Sequence, residues 1–152
     1  MNLAAYLKAN KASHEFIEKG ATHHAEEAAR TSGIALTNIA KTIVFVDSED
    51  KPVIAVVRGD RKVSRHKLEA CTGARKLHVA GDDLAEQVTG YPTGGIPPVG
   101  HRRRVPVVLD MEVASLDDVW CGGGTRTRLV NLSTTDIIRL SGGTTCDIAV
   151  PA

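Results

Sequence analysis

The sequence predicts a single α/β domain of the α+β kind, in which a mixed, mostly antiparallel β-sheet is flanked by helices. A chain of 152 residues has the length of one domain. Helical and strand patterns are intermixed, and the shortest connections have the length of hairpins, which favours antiparallel pairing over a doubly wound parallel sheet. Neither GxxxxGK[ST] nor GxGxxG occurs, so the usual nucleotide-phosphate loops are absent.

Hydrophobic periodicity and cap residues predict the elements of the first half of the chain. Residues 39–47 are apolar or β-branched nearly throughout, which is typical of a strand. Thr22 is the predicted N-cap of the second helix, and Gly33 is its predicted end. The predicted elements are a helix over 2–10, a strand over 13–19, a helix over 23–32 and a hairpin of strands 39–47 and 52–58.

Turn and cap residues define the second half in the same way. Ser64 caps a helix that Gly73 ends, and Asp83 with Glu86 resembles a capping box. Pro106 either places its strand at a sheet edge or marks the start of that strand. The predicted elements are a helix over 64–71, a strand over 75–80, a helix over 83–90, strands over 105–111 and 126–132, a helix over 133–140 and a last strand over 145–150.

The composition disfavours several classes of function. Aromatic residues make up only 3% of the chain, too few for a protein that stacks single-stranded bases on exposed rings. The net charge of +1 gives no global attraction for nucleic acid, so a polyanionic partner would need a local basic patch. No apolar run reaches about 18 residues, so no membrane span is expected, and the N-terminus is too short and polar for a signal peptide.

The cysteines indicate a reduced, cytoplasmic protein. Cys71, Cys121 and Cys146 are widely spaced and odd in number, and no CxxC pair occurs. This pattern disfavours a disulfide framework and a structural zinc site. We therefore expect free thiols and a cytoplasmic location.

Residues 91–101, YPTGGIPPVGH, form the most informative segment. Three glycines permit close backbone approach to a ligand, and three prolines stiffen the segment. A flexible linker would instead combine glycine with serine. The segment is interpreted as a shaped loop that works through its backbone groups, or alternatively as a rigid turn without function.

Lys41 is unusual because strand alternation places it on the same face as Ile39, Ile43 and Phe45. An ammonium in apolar surroundings needs an anion, water or a carbonyl as partner. Lys41 is therefore a candidate anion-binding residue. The alternative is that it lies at the strand start and extends to solvent.

Two basic runs are candidate phosphate-binding patches or simply solvated faces. One run is His101 to Arg104, directly after the loop. The other comprises Arg58, Arg61, Lys62, Arg65 and Lys67.

Three further features each have a structural alternative. Asp136 is either an amine-binding or catalytic carboxylate, or the acidic third residue of the helix that Ser133 caps. Cys121, before three glycines, is either a nucleophile or a buried inert thiol. His23 and His24 do not share a helix face, so a metal pair is not expected.

Three stretches occur in a characteristic order. They are IAKTIVF (39–45) with Lys41, TGYPTGGIPPVG (89–100) with Gly94 and Pro98, and CGGG (121–124) followed by 129–136. From about residue 20 to 150 the chain resembles the YbaK/prolyl-tRNA-synthetase-associated domain family, the trans- and cis-acting aminoacyl-tRNA editing domains.

The resemblance implies a curved central sheet, one editing domain over 1–152, and hydrolysis of the ester that joins a wrong amino acid to tRNA. It implies that Lys41 engages the tRNA 3′ end and that Gly94, with Gly95, presents backbone groups to the ester. The terminal ribose hydroxyl would help to activate water, without a metal, a cofactor or a protein nucleophile. The expected substrate is a small amino acid such as alanine or cysteine, on tRNA(Pro).

The remaining site predictions follow from the same loop, turn and patches. The predicted substrate-binding residues are Pro97, Pro98, Gly100, His101, Gly122, Gly123 and Asp136. The predicted RNA-binding residues are Arg102, Arg103, Arg61 and Lys62.

Three departures weaken the assignment of cysteine as substrate. Cysteine-specific members carry a serine where Cys121 stands and an acidic residue near Arg128 or Leu129, and an aromatic residue is missing around Ala21 and Thr22. A pocket for alanine or another small residue is equally compatible.

Three functions are compatible with these features: a free-standing deacylase, a non-catalytic module that binds tRNA or a synthetase, and a thiol-dependent hydrolase that uses Cys121. The expected partners of the deacylase are mischarged tRNA and an aminoacyl-tRNA synthetase, with no DNA or membrane, as a monomer or homodimer.

Overall fold

A computed structural model describes residues 1–152 and contains six α-helices and ten strands. The helices are α1 (Leu3–Ala9), α2 (Ala25–Ser32), α3 (Arg65–Thr72), α4 (Asp82–Thr89), α5 (Met111–Ala114) and α6 (Thr134–Ser141). The strands are β1 (His14–Glu18), β2 (Ala40–Val46), β3 (Pro52–Arg58), β4 (Arg61–Val63), β5 (His78–Val79), β6 (Val107–Asp110), β7 (Asp118–Gly122), β8 (Arg128–Ser133), β9 (Thr144–Cys146) and β10 (Ala149–Pro151).

The strands form three sheets, and the predicted mixed, mostly antiparallel α/β architecture is confirmed. The central sheet has the order β5-β2-β3-β6-β9. Its β2–β3 and β2–β5 pairs are antiparallel, whereas β3–β6 and β6–β9 are parallel. The second sheet, β1-β8-β7, and the short pair β10-β4 are antiparallel.

Both faces of the central sheet are buried, as the apolar sequences of β2 and β3 require. On one face, Val44, Ile54 and Leu109 belong to the main core cluster, which also contains residues of α1, α4 and the 91–101 loop. On the other face, Phe45 and Val57 belong to a cluster that includes Leu68 of α3. No helix is long and apolar enough to cross a lipid bilayer.

The edge of β2 is only partly covered, and this positions the site. Strand β5 pairs with Phe45 and Val46 alone, and the amide of Ala80 then donates to the carbonyl of Val44. The chain turns away into α4 directly afterwards. The stretch of β2 from Ala40 to Ile43 therefore lies along a sheet edge that is open between β5 and the isolated bridge of Ile39 to Trp120.

Several predicted element ends were wrong because long-range contacts override local signals. The N-cap of α2 is His24 rather than Thr22, which is buried and contacts Lys19 instead. The N-cap of α4 is Gly81, so the Asp83–Glu86 capping box does not form.

Two strands also differ from the prediction. The predicted strand over 145–150 is split between two sheets, because the buried carboxylate of Asp110 accepts the amides of Ile148 and Ala149 at 2.9 and 3.0 Å. Pro106 precedes β6, which lies between β3 and β9, so the proline marks a strand start and not a sheet edge.

The prediction of free cysteines was also wrong in part. Cys71 at the end of α3 and Cys146 in β9 form a disulfide with Cα atoms 6.5 Å apart, while Cys121 is free. The pairing depends on how α3 packs beside β9, which residue spacing does not reveal. Because the two cysteines are 75 residues apart, the cross-link removes a large loop entropy from the unfolded chain, about 4 kcal/mol in the chain-entropy description.

Candidate functional site: a cleft at the open edge of the central sheet

A cavity of about 350 Å³ lies at the open edge of β2. Its walls come from the first half of β2, the start of α2, the end of β5, α4 and the loop 91–101. Lys41, Gly94 and Gly122, each from a different one of the three stretches singled out in the sequence, all line this cavity. The structure therefore brings together segments that are distant in the chain.

Lys41 enters the cleft from β2 and is half-buried. It forms neither a salt bridge nor a side-chain hydrogen bond within the chain, although seven salt bridges form elsewhere. A partly desolvated cation without a partner favours an anion at this position.

Gly94 has a backbone conformation that suits glycine alone. Its φ is +91°, in the region that side chains disfavour. A Cβ atom at Gly94 would lie 2.7 Å from the carbonyl oxygen of Thr22 and 3.0 Å from the Cα of His23. The absence of a side chain therefore lets the loop pack against the segment before α2 while it lines the cleft.

The second glycine cluster is the packing partner of the first. The amide of Gly124 donates to the carbonyl of Gly95 at 2.8 Å, and the amide of Gly95 donates to Pro92 at 2.9 Å. A Cβ at Gly122 would collide with the carbonyl oxygen of Ile96. The CGGG turn thus lets two backbones touch, and this contact holds the loop at the cleft.

The end of the loop is fixed by contacts of its own. The ring of His101 donates from Nε2 to the carbonyl of Pro97 at 2.7 Å, and burial lowers the pKa of His101, so the neutral ring is favoured. Pro98 is buried, and Gly100 has φ +76° beside Tyr6. These residues support the loop on the side away from the cleft, and none of them lines the cleft.

Asp136 lies outside the cleft. Its amide donates to the Ser133 hydroxyl at 3.0 Å, and its carboxylate forms a salt bridge of 2.9 Å with Arg139. The contacts of Asp136 are therefore those of a residue in a helix cap. Gly123 also lies away from the cavity, where its amide donates to the carbonyl of Arg128 at 3.0 Å.

The four predicted RNA-binding residues do not line the cleft either. Arg61 donates to Glu112 at 3.1 Å, whereas Lys62 is exposed on β4. Arg102 and Arg103 have exposed side chains, and their amides donate to the last carbonyls of α4. A role in RNA binding for these four residues stays a prediction.

Cys121 is fully buried, and burial raises the pKa of its thiol. The thiolate is the nucleophilic form of cysteine. Cys121 has no access to the cleft, which counts against the thiol-dependent hydrolase. No group of three or more His, Cys, Asp or Glu side chains is arranged to hold a metal ion.

Sequence reasoning missed three polar residues that line the cleft or contact its loop. The Thr42 hydroxyl, in a residue that lines the cleft, is buried without a hydrogen-bond partner. Lys19 also lines the cleft, and burial lowers the pKa of its ammonium while Glu27 opposes the shift. Arg126 donates from Nε to the carbonyl of Thr93 at 2.9 Å. Only Thr42 had a sequence signal, its place beside Lys41 in the strand.

Comparison with known proteins shows the family. The family described as "Aminoacyl-tRNA editing domain" matches residues 19–140, which include every segment of the cleft from Lys19 onward. The chain belongs to this family, and the YbaK-like resemblance is confirmed.

Relatives and a solved structure agree with this assignment. The chain is 30% identical to EbsC of Enterococcus faecalis, a candidate Cys-tRNA(Pro)/Cys-tRNA(Cys) deacylase, over 82% of this chain and 76% of that protein. It is 36% identical to the proline–tRNA ligase of Citrifermentans bemidjiense over 64% of this chain, but spans only 17% of that ligase. The crystal structure of a candidate trans-editing enzyme for prolyl-tRNA synthetase is 28% identical, with a TM-score of 0.79 over 90% of this chain and 87% of that one.

Proposed function

We propose that this chain is a trans-acting aminoacyl-tRNA deacylase that hydrolyses the ester of a small amino acid, such as alanine or cysteine, on mischarged tRNA, with tRNA(Pro) as the expected acceptor. The observation that carries the proposal is that Lys41 and Gly94 line one cleft. Likeness to EbsC over most of both chains supports action in trans, on the tRNA pool of the cytoplasm, by one editing domain over 1–152.

The proposed chemistry depends on positioning. An aminoacyl ester is reactive, so fixing it beside a water molecule and aiming a few dipoles at its carbonyl supplies much of the rate. Lys41 would neutralise a phosphate at the tRNA 3′ end, and the backbone of Gly94, supported by Gly95, would hold the ester carbonyl. Water assisted by the terminal ribose hydroxyl adds to that carbonyl, and the ribose oxygen leaves with a proton.

The size and character of the cavity support a small side chain. Small or aliphatic residues, including Ala25, Ala28 and Ile96, line much of a cavity of only about 350 Å³. One methylene is worth about 1–3 kcal/mol of discrimination in an apolar pocket, so alanine and cysteine are both compatible with this lining.

A deacylation screen tests the proposal. Purified protein in EDTA is expected to release alanine or cysteine from mischarged tRNA(Pro) faster than buffer alone, and to leave Pro-tRNA(Pro) intact. A panel of mischarged tRNAs that all remain intact would refute the deacylase. Salt-sensitive tRNA binding without turnover would instead support the alternative, a non-catalytic module that binds tRNA or a synthetase.

A further inference from the structure

Arg126 connects the turn before β8 to the loop 91–101. Its Nε atom donates to the carbonyl oxygen of Thr93 at 2.9 Å, across 33 positions of the sequence. The side chain is partly buried, and a Cβ at Gly94 would lie 3.4 Å from its Cγ. Arg126 therefore contacts the segment that presents Gly94 to the cleft.

The contact acts on one peptide group. The carbonyl of Thr93 and the N–H of Gly94 belong to the same planar unit, so a hydrogen bond to the oxygen fixes the direction of the N–H. A donor at the oxygen also polarises the unit and strengthens donation by the N–H. A cationic donor has a larger effect than a neutral one.

Arg126 is itself held in place. Its carbonyl oxygen accepts the amide of Thr22 at 3.0 Å and the ammonium of Lys19 at 2.6 Å. Lys19 lies 107 positions away from Arg126, so this bond joins the segment after β1 to the turn before β8. Atoms of Thr22 and Arg126, from these two segments, lie beside Gly94. These two hydrogen bonds fix the backbone of Arg126, and its side chain extends from there to the carbonyl of Thr93.

We propose that Arg126 is a positioning residue for the deacylation reaction: it orients and polarises the Thr93–Gly94 peptide so that the Gly94 N–H points at the ester. This inference rests on the proposed function for its catalytic consequence. Its structural part, the orientation of the Gly94 amide, stands independently of turnover.

The test compares Arg126→Met with Arg128→Met. Arg128 is a matched control because its guanidinium pairs with Glu18 at 3.0 Å and lies over the ring of Phe16, on the outer side of β8. Arg126→Met is expected to lower kcat by about 10- to 100-fold and to leave KM within about twofold. This loss is no larger than the roughly 100- to 1,000-fold loss in kcat on removal of an oxyanion donor, because the Gly94 N–H itself remains. Arg128→Met is expected to retain wild-type kcat.

A second readout is independent of activity. In ¹⁵N-labelled protein, the amide resonance of Gly94 is expected to shift in Arg126→Met and in Arg126→Lys, which keeps the charge but moves the donor, and to stay in place in Arg128→Met. An unchanged Gly94 resonance overturns the inference, even if the wild type proves inactive and the proposed function fails.

The kinetic outcomes separate positioning from other roles. A rise in KM with unchanged kcat would mean that Arg126 binds RNA directly, and would overturn the inference. So would equal losses of kcat in Arg126→Met and Arg128→Met, since that result indicates a general effect on stability. If Arg126→Met does not fold, Arg126→Lys carries the same comparison.

Discussion

Replacing Lys41 by methionine is expected to reduce deacylation of a mischarged tRNA by about 100-fold. A hydrogen bond between a charged donor and its partner contributes about 1.5–3 kcal/mol. The half-buried Lys41 ammonium forms no salt bridge within the protein, so its removal is expected to affect the contact with the tRNA and not an ion pair of the fold. Methionine retains the length and apolar stem, so the fold of β2 is expected to survive. Single-turnover rates measured at saturating protein separate the chemical step from binding.

Lys51→Met is the matched control for Lys41→Met. Lys51 lies in the turn after β2, and its side chain is 74% exposed, with Glu49 at 3.7 Å. This variant removes the same charge from the same hairpin and is expected to keep full activity. Equal activity of Lys41→Met and the wild type would show that the ammonium in the cleft plays no part in hydrolysis.

Replacing Gly94 by alanine is expected to have an effect of similar size by a different route. The added methyl group meets the carbonyl of Thr22 and the Cα of His23, both backbone atoms, at a φ of +91°. Strain of this kind costs about 1–3 kcal/mol, and the loop has to move to relieve it. Displacement of the Gly94 amide from the ester is expected to lower the rate by about 100-fold or more, as for a lost oxyanion donor.

The control for Gly94→Ala is Gly73→Ala. Gly73 ends α3 with a φ of +77°, and a Cβ there would meet nothing within 4 Å. Both variants carry backbone strain, but only Gly94→Ala combines it with a collision at the cleft. Melting temperatures are expected to fall in both, while the rate falls only in Gly94→Ala. Full activity of folded Gly94→Ala would contradict a role for this backbone.

Local signals in the sequence predicted the structural features that depend mainly on residues adjacent in the chain. The β2–β3 hairpin follows from two apolar runs and a polar turn, and the Gly33 and Gly73 helix ends follow from their left-handed backbone. Gly94 was a candidate because three glycines and three prolines fall within residues 91–101. These features need few long-range contacts to form.

The remaining features depend on which distant segments meet. The contacts of Arg126 with Thr93 and Lys19, and the Cys71–Cys146 disulfide, join residues 33, 107 and 75 positions apart. Asp136 is of a residue type that often binds ligands, but its carboxylate forms a salt bridge with Arg139, one helical turn later. Neither spacing nor composition carries that information.

The most direct test of the account is to locate a hydrolysis-resistant substrate end on the protein. The probe is alanine joined through an amide to the 3′ position of a CCA trinucleotide, titrated into ¹⁵N-labelled protein. We expect the amide resonances of Gly94, Gly95 and Thr42 to shift together and Lys41→Met to weaken binding. Saturable binding that leaves the Gly94 resonance unchanged and shifts residues away from this cleft would contradict a substrate site at Lys41 and Gly94.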